Sequence, residues 1–550
     1  MVPPVQLRRW VISSLLLGVV SSAGLGSGEP GQKSAEAQAH AESGKRLLQD
    51  GDLAGAEKEL RRAVELAPKE SVYLGSLGAV LGIEQKLEES NSYLGRALRL
   101  NPRDTASRRN LASNQFQLGQ LQPARENLER LAKDTPNDPV VRLLLGMVDE
   151  EQEDYTNAVR LLDSVPEQVR ERPKSIAALA RAYYNIGQRD KARETIKGLQ
   201  VHPAGAEGVF LGGQVAAQAN DFETAEQMFA SIWSSFPDLA KLGYNLALAQ
   251  YQANHIHKSQ DTLSKIVKAG HETADIYNLL GWCLFKQGKT KEAVAALDKA
   301  IALEPSRESN YLDVGMMLIE AHRFDGALIA AQKALDVKPG DHRAYRLKGL
   351  VETKLNRLKE AEKSYARAVE LNPTDEQSIL GLASAQLNDG KVRDAEATFE
   401  KGIQLLPRDA VLYEAYGGML LWLEGATNAS TESRAVSLLQ TAMRLDGSQA
   451  DPHYQLGKLA LRQGKIQEAL QELETAARLD PNNSRPHYAL VSAYRRLGRR
   501  GEAEKELAIY KSLKAKEGQS PSQPLTRENE FRMPELQLAP AGISQIGQRN

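Results

Sequence analysis

The feature that most limits what this chain can fold into is a spacing. Pro68, Pro102 and Pro136 stand 34 residues apart, and Pro305, Pro339, Pro373 and Pro407 take the same step later in the chain. Residues 273–308 show what lies between the prolines. Tyr277, Leu280, Gly281 and Leu284 fall at i, i+3, i+4, i+7, the spacing of one helix face; Gly288 interrupts. Ala293, Leu297, Ala300 and Leu303 then mark a second helix that stops before Pro305. Glycine enters the left-handed region that ends a helix at low cost. Proline cannot continue a helix, because it has no N–H and clashes with the preceding turn. The unit therefore predicts two amphipathic helices and a tight turn. Gly281, Ala293 and Ala300 fall where the two helices must come close.

The register holds along most of the chain. The Leu-Gly or Leu-Ala pair of the first helix recurs at Leu77-Gly78, Leu111-Ala112, Leu145-Gly146, Leu179-Ala180, Leu246-Ala247, Leu280-Gly281, Leu382-Ala383 and Leu456-Gly457. The small residue of the second helix recurs at Ala56, Ala124, Ala158, Ala192, Ala225, Ala293, Ala327, Ala361, Ala395, Ala469 and Ala503. This period and these small residues resemble the tetratricopeptide repeat, over roughly residues 37–516 as about fourteen repeats. The resemblance implies an all-α fold, a right-handed α-α superhelix or solenoid. It also implies that the first helix of each repeat lines a concave groove, where peptides or partner proteins bind.

The remaining stretches read differently. In residues 1–28, Arg8 and Arg9 precede an apolar run over 10–20, and small residues follow, the pattern of a secretory signal peptide with cleavage after Ala23. Eleven apolar residues are short for a membrane span, which needs ~20; an uncleaved anchor, extended through Leu25, is the alternative. Residues 29–36 read as a polar linker. Repeats one to four occupy 37–165. Residues 166–173 (PEQVRERP) break the period, as a kink or a slightly separated junction. Repeats five to fourteen occupy 174–516, with an insertion near 424–434 about six residues longer than the period allows. Asn428-Ala429-Ser430 inside it would be a glycosylation sequon in a eukaryotic secretory protein. Residues 517–550, rich in Gln, Ser and Pro, read as a disordered tail, solvated or bound back into the groove or to a partner.

Composition narrows the function. The formal net charge is −1, which argues against nucleic acid held by bulk charge. One cysteine, Cys283, rules out a disulfide framework within the chain and reads as a small buried hydrophobe. There is no nucleophile elbow, phosphate-cradling glycine loop or His-Glu-x-x-His, so no catalytic residue, cofactor or metal is expected. His255 and His257 lack an acidic or cysteine partner in sequence. His453 and His487 occupy the fourth position of adjacent repeats and read as stacking residues. Glu88-Glu89 and Glu150-Glu151 read as solvated carboxylates.

The resemblance maps the groove to the second, fifth, sixth, ninth, twelfth and thirteenth positions of each repeat. In repeats seven and eight these include Tyr244, Asn245, Tyr251, Asn278, Trp282 and Phe285, an aromatic and amide strip suited to an extended peptide. The alternative is that Trp282 and Phe285 simply pack between helices. In repeats thirteen and fourteen they include Tyr454, Lys458, Arg462, Arg485, Tyr488 and Arg495, suited to carboxylate or phosphate groups, or forming a solvated end cap. The expectation is a non-enzymatic scaffold for protein or peptide partners in an exported compartment, periplasmic or extracellular, touching membrane only through an uncleaved N-terminal segment. A narrower form is an adaptor for envelope assembly or for polysaccharide or protein secretion. A non-catalytic region of a glycosyltransferase-like protein is less favoured, because the repeats leave no room for a second domain. Partner identity and oligomeric state stay open.

Overall fold

In the computed structural model, which describes residues 32–424 and 429–516, the chain is helical throughout, with no strand among the described residues. Among the described residues, twenty-eight α-helices form fourteen consecutive antiparallel pairs; one short extra helix, Pro166–Arg170, follows the fourth pair, and a single 3-10 turn, Gly198–Gln200, follows the fifth. The eighth pair shows how the sequence builds them. Thr273 caps Ala274–Lys286 by accepting a bond from the Ile276 N–H (3.3 Å). Gly288, at φ 75°, ends that helix, and its N–H donates to the Phe285 carbonyl (2.8 Å). Thr290–Leu303 then returns along it. A Cβ on Gly281 would stand 3.0 Å from Leu297 Cγ and 3.2 Å from the Ala293 carbonyl, so the approach leaves room for nothing larger than a very small side chain. Ala293 and its counterparts from Ala56 to Ala503 are buried at the same contact.

Proline and aspartate set the helix starts together. Asp104, Asp138, Asp341 and Asp375 each stand two residues after a periodic proline and accept backbone N–H bonds from the first turn. Such caps are worth about 1 kcal/mol each. The turn between the two helices carries a left-handed residue in nearly every pair: Gly51, Gln85, Gly119, Glu153, Gly187, Asn220, Asn254, Gly288, His322, Asn356, Gly390, Gly464 and Gly498. The step between neighbours is 34 residues, save 33 before Asn220 and 74 between Gly390 and Gly464. That last step is two periods and six residues, the length of the expected insertion; 425–428, with Asn428, lie outside the described residues.

Contacts divide the chain into two compact units between Thr262 and Leu263, within the helix Ile256–Lys268. Within each unit, successive first helices approach one another, from the first pair to the sixth and from the ninth to the fourteenth; second helices make no comparable approach. First helices therefore form the inner face of each unit.

Three expectations change. Helix Gln32–Asp50 starts inside the stretch read as a linker over 29–36. Residues 166–173 are not a separated junction: Val165 and Val169 join a hydrophobic cluster running from Leu143 to Ala249, so helix Pro166–Arg170 continues the core. Glu150 is not solvated; it is buried and receives Arg181 Nε (2.6 Å) and Nη2 (2.9 Å). The signal segment 1–28, Ala23 and the tail 517–550 lie outside the described residues. No described helix is long and apolar enough to cross a membrane.

Candidate interaction surfaces

The two groups of residues mapped from the sequence meet different surroundings. Tyr244, Asn245 and Tyr251 lie on Leu239–Gln252, in the first unit, whereas Asn278, Trp282 and Phe285 lie on Ala274–Lys286, in the second. Asn245 turns its amide onto its own helix, donating to the Lys241 carbonyl (2.8 Å), so it is not poised for a ligand. Tyr244 and Tyr251 are half-buried.

Trp282 is 2% exposed and packs edge-on against the half-buried Phe285, centroids 5.6 Å apart. Between the two readings offered for it, the packing one describes the structure. Cys283 beside it is buried. Asn278 belongs to a buried polar group that crosses from one pair to the next. Its Nδ2 donates to Asn310 Oδ1 (3.0 Å) and Asp313 Oδ2 (2.7 Å), and all three residues are fully buried. Asn278 Oδ1, Asn310 Nδ2 and Trp282 Nε1 have no hydrogen-bond partner among the described residues.

At the other end of this unit, Arg485 Nη2 donates to both oxygens of Asp451 (2.6 and 2.9 Å), and its guanidinium lies 4.9 Å from the centre of the Tyr454 ring. Lys458 Nζ stands 5.8 Å from the same ring. Arg485 thus already holds a carboxylate, that of Asp451, while its buried Nη1 has no partner among the described residues. Tyr488 rests on Tyr510, 5.0 Å between centroids. Arg462 and Arg495 are exposed. His453 and His487 do not stack: their Nδ1 atoms pair with Glu472 and Glu506, each at 2.6 Å, on the second helix of the same pair.

Two carboxylates on first helices of the second unit were not singled out in the sequence. Glu414, on Ala410–Glu424, is pushed up to about 8, first by burial and then by the Asp451 carboxylate, with Arg485 opposing. Glu376 is pushed up to about 7, by burial and then by Asp409. Neither forms an ion pair among the described residues. The signal was present: Glu414 lies four periods after Asn278, at the same fifth position.

Comparison with known proteins agrees with the register. Tetratricopeptide repeat family models match residues 274–307, residues 315–376, and residues 83–148 and 216–283. A model described as a bacterial transcriptional activator domain matches residues 415–530. No curated protein matches the chain. Solved structures similar to it include the APC/C hetero-tetramer Cut9-Hcn1 (13% identity, 84% of this chain and 97% of that one, TM-score 0.36). The yeast Tom70 is another (17%, 90% and 94%, TM-score 0.37), and MamA a third (25%, 29% and 94%, TM-score 0.28). Scores this low say nothing about shared partners. The paired helices, the 34-residue register and the family matches along it make this chain a tetratricopeptide-repeat protein.

Proposed function

We propose that the chain is a non-catalytic scaffold that holds an extended, basic segment of a partner protein on the inner face of its second unit, in an exported compartment. Repeats of this family point to protein partners in general. The observation that carries the finer reading is the pair Glu376 and Glu414. They sit on the first helices of the eleventh and twelfth pairs, are partly buried, and form no ion pair among the described residues. Burying a carboxylate without a counter-charge is unfavourable, so a Lys or Arg side chain laid across the face gains by supplying one. The stack of helix pairs is formed before the partner arrives, which limits the ordering cost of binding.

The compartment rests on Arg8, Arg9 and the apolar run that follows them. A second reading is favoured by the match over 415–530, a regulatory module working where transcription is controlled. Affinity capture of the tagged full chain from fractionated cells tests both. A partner bound from the exported fraction, and lost in the Glu376→Gln/Glu414→Gln variant, supports the proposal. A chain found only with the cytosol overturns the exported reading, and a partner held equally by the variant moves the site elsewhere.

A further inference from the structure

The turns inside the helix pairs carry charge that helix stability does not explain. Successive pairs stack in one sense, so these turns line up as a rim on each unit. The residue just before each second helix marks the contrast. In the first unit it is Asp52, Asp154 and Asp221 in three of the turns; Asp52 and Asp154 cap their helices, accepting from the Gly55 N–H (2.9 Å) and the Asn157 N–H (3.3 Å). In every described turn of the second unit it is basic: Lys289, Arg323, Arg357, Lys391, Lys465 and Arg499. The first five make no side-chain cap. A cation there gives up a cap and faces the positive end of the helix dipole. Charge at that position therefore serves something other than the helix.

The neighbouring side chains divide the same way. On the second rim, Lys286, Lys289, Lys291, Arg323, Lys354 and Arg357 are exposed and form no ion pair among the described residues. The acids of these turns, Glu292, Glu320, Asp325 and Glu360, are fewer than their cations. On the first rim, Asp50, Asp52, Glu88, Glu151, Glu153 and Glu223 are exposed and likewise form no ion pair among the described residues. Lys86 and Lys258 on that rim are already held, by Glu57 (2.7 Å) and Glu226 (3.0 Å). The formal net charge of −1 thus conceals two rims of opposite sign. Both are built on one repeat, so their charges recur at the same step, about 8–10 Å between neighbouring helices. Each rim finds its complement, in sign and in spacing, on another copy of the chain.

We propose that copies of this chain associate through these rims, the acidic turns of the first unit of one copy against the basic turns of the second unit of another. A single exposed ion pair contributes little, whereas a row of them in register adds up and stays sensitive to salt. The contact is made by turns, not by the inner faces of the first helices, so it is independent of the partner site at Glu376 and Glu414.

Sedimentation velocity of the full chain over a range of protein concentrations, at low salt and at about 0.5 M salt, tests this. The wild type should self-associate at low salt, with an association constant at least about tenfold lower at the higher salt. Lys286→Glu/Lys289→Glu/Arg357→Glu cancels the basic rim, and Glu88→Lys/Glu151→Lys/Glu153→Lys cancels the acidic one. Each variant alone should associate at least about tenfold more weakly than the wild type. Mixed in equal amounts, the two should associate with each other at least about fivefold more strongly than either does with itself, because each keeps the rim that the other has lost. A variant that merely failed to fold would not be rescued in this way. A wild type that stays monomeric at low salt, association unchanged by salt or by either charge reversal, or variants that do not join when mixed would each overturn the proposal.

Discussion

The two units treat particular carboxylates differently. In the first, buried acids have basic partners. Asp221 is 1% exposed and accepts from Arg193 Nε (2.6 Å), Arg193 Nη2 (3.1 Å) and the Tyr184 hydroxyl (2.9 Å). Burial raises the Asp221 carboxyl, but these bonds outweigh it and hold the group below its ordinary range. Asp149 pairs with Arg125, Glu150 with Arg181, and Glu226 with Lys258 and His255. In the second unit Asp341 is likewise buried and paired with Arg343 (2.8 Å), but Glu376 and Glu414 keep raised carboxyls and form no ion pair among the described residues; buried atoms without a partner among the described residues occur in both units, at Asn91 and Arg109 as at Asn278 and Asn310. The same repeat thus holds buried acids in internal ion pairs in both units, and leaves two carboxylates of the second, Glu376 and Glu414, outside any such pair among the described residues.

The largest expected effects test whether the cores, at least, are equivalent. Phe229 of the first unit is fully buried and Trp282 of the second is 2% exposed. Phe229→Ala and Trp282→Ala should each cost about 3–5 kcal/mol in urea unfolding, the usual range for a deleted core aromatic. A Trp282→Ala protein with unchanged stability would return Trp282 to the binding surface and break the comparison.

Ion pairs should separate the units. Arg193→Met leaves the Asp221 carboxylate buried and should cost about 3–5 kcal/mol at neutral pH. The sign with pH follows from the lowered carboxyl: its stabilising effect is present above the ordinary value of 3.8 and is lost as pH falls through the still lower folded-state value, so the penalty should shrink in acid. Arg485→Met should cost only about 1–2 kcal/mol, because the side chain of its partner Asp451 is 27% exposed and water can take over. Equal penalties, measured by paired urea titrations, would erase the distinction.

How much of this was legible in the sequence follows from what each feature depends on. The pairs, their number and the close approach at Gly281 depend on local periodicity, and proline, glycine and alanine announce them. The left-handed turns at Gln85 and Glu153 were not announced, since these residue types do not prefer that region; the packing of the flanking helices imposes it. The fate of Trp282 depends on contacts outside its own repeat. His453 and His487 pair with glutamates 19 residues onward, a partnership that the fourth-position pattern does not encode. Glu414 could have been found, because its fifth position follows from the period alone.

Glu414 gives a smaller effect that sharpens the contrast. Its carboxyl, ordinarily near 4.5, is raised to about 8 in the folded chain. Between those values the folded state holds more protons than the unfolded one, so stability should fall as pH rises through that window and level off above it. Glu414→Gln removes this dependence. Its melting temperature should match the wild type near pH 4.5 and exceed it by a few degrees near pH 8. Parallel profiles would mean that the inner face of the second unit does not strain a carboxylate, and the recognition argument would lose its main support.

The smallest effect asks whether the turns, unlike the faces, are the same in both units. A non-glycine residue in the left-handed region costs roughly 1–2 kcal/mol, and glycine's extra freedom in the unfolded chain takes back roughly 0.5–1. Glu153→Gly in the first unit, at an exposed turn with φ 63°, should therefore stabilise by about 0.5–1 kcal/mol. His322→Gly in the second, at φ 55°, relieves the same strain but removes an edge contact with the Phe324 ring at 5.9 Å, itself worth about 0.5–1 kcal/mol. The His322 change should come out near zero. Two equal gains in thermal unfolding would show that the ring contact is worth little and that backbone strain alone governs both turns.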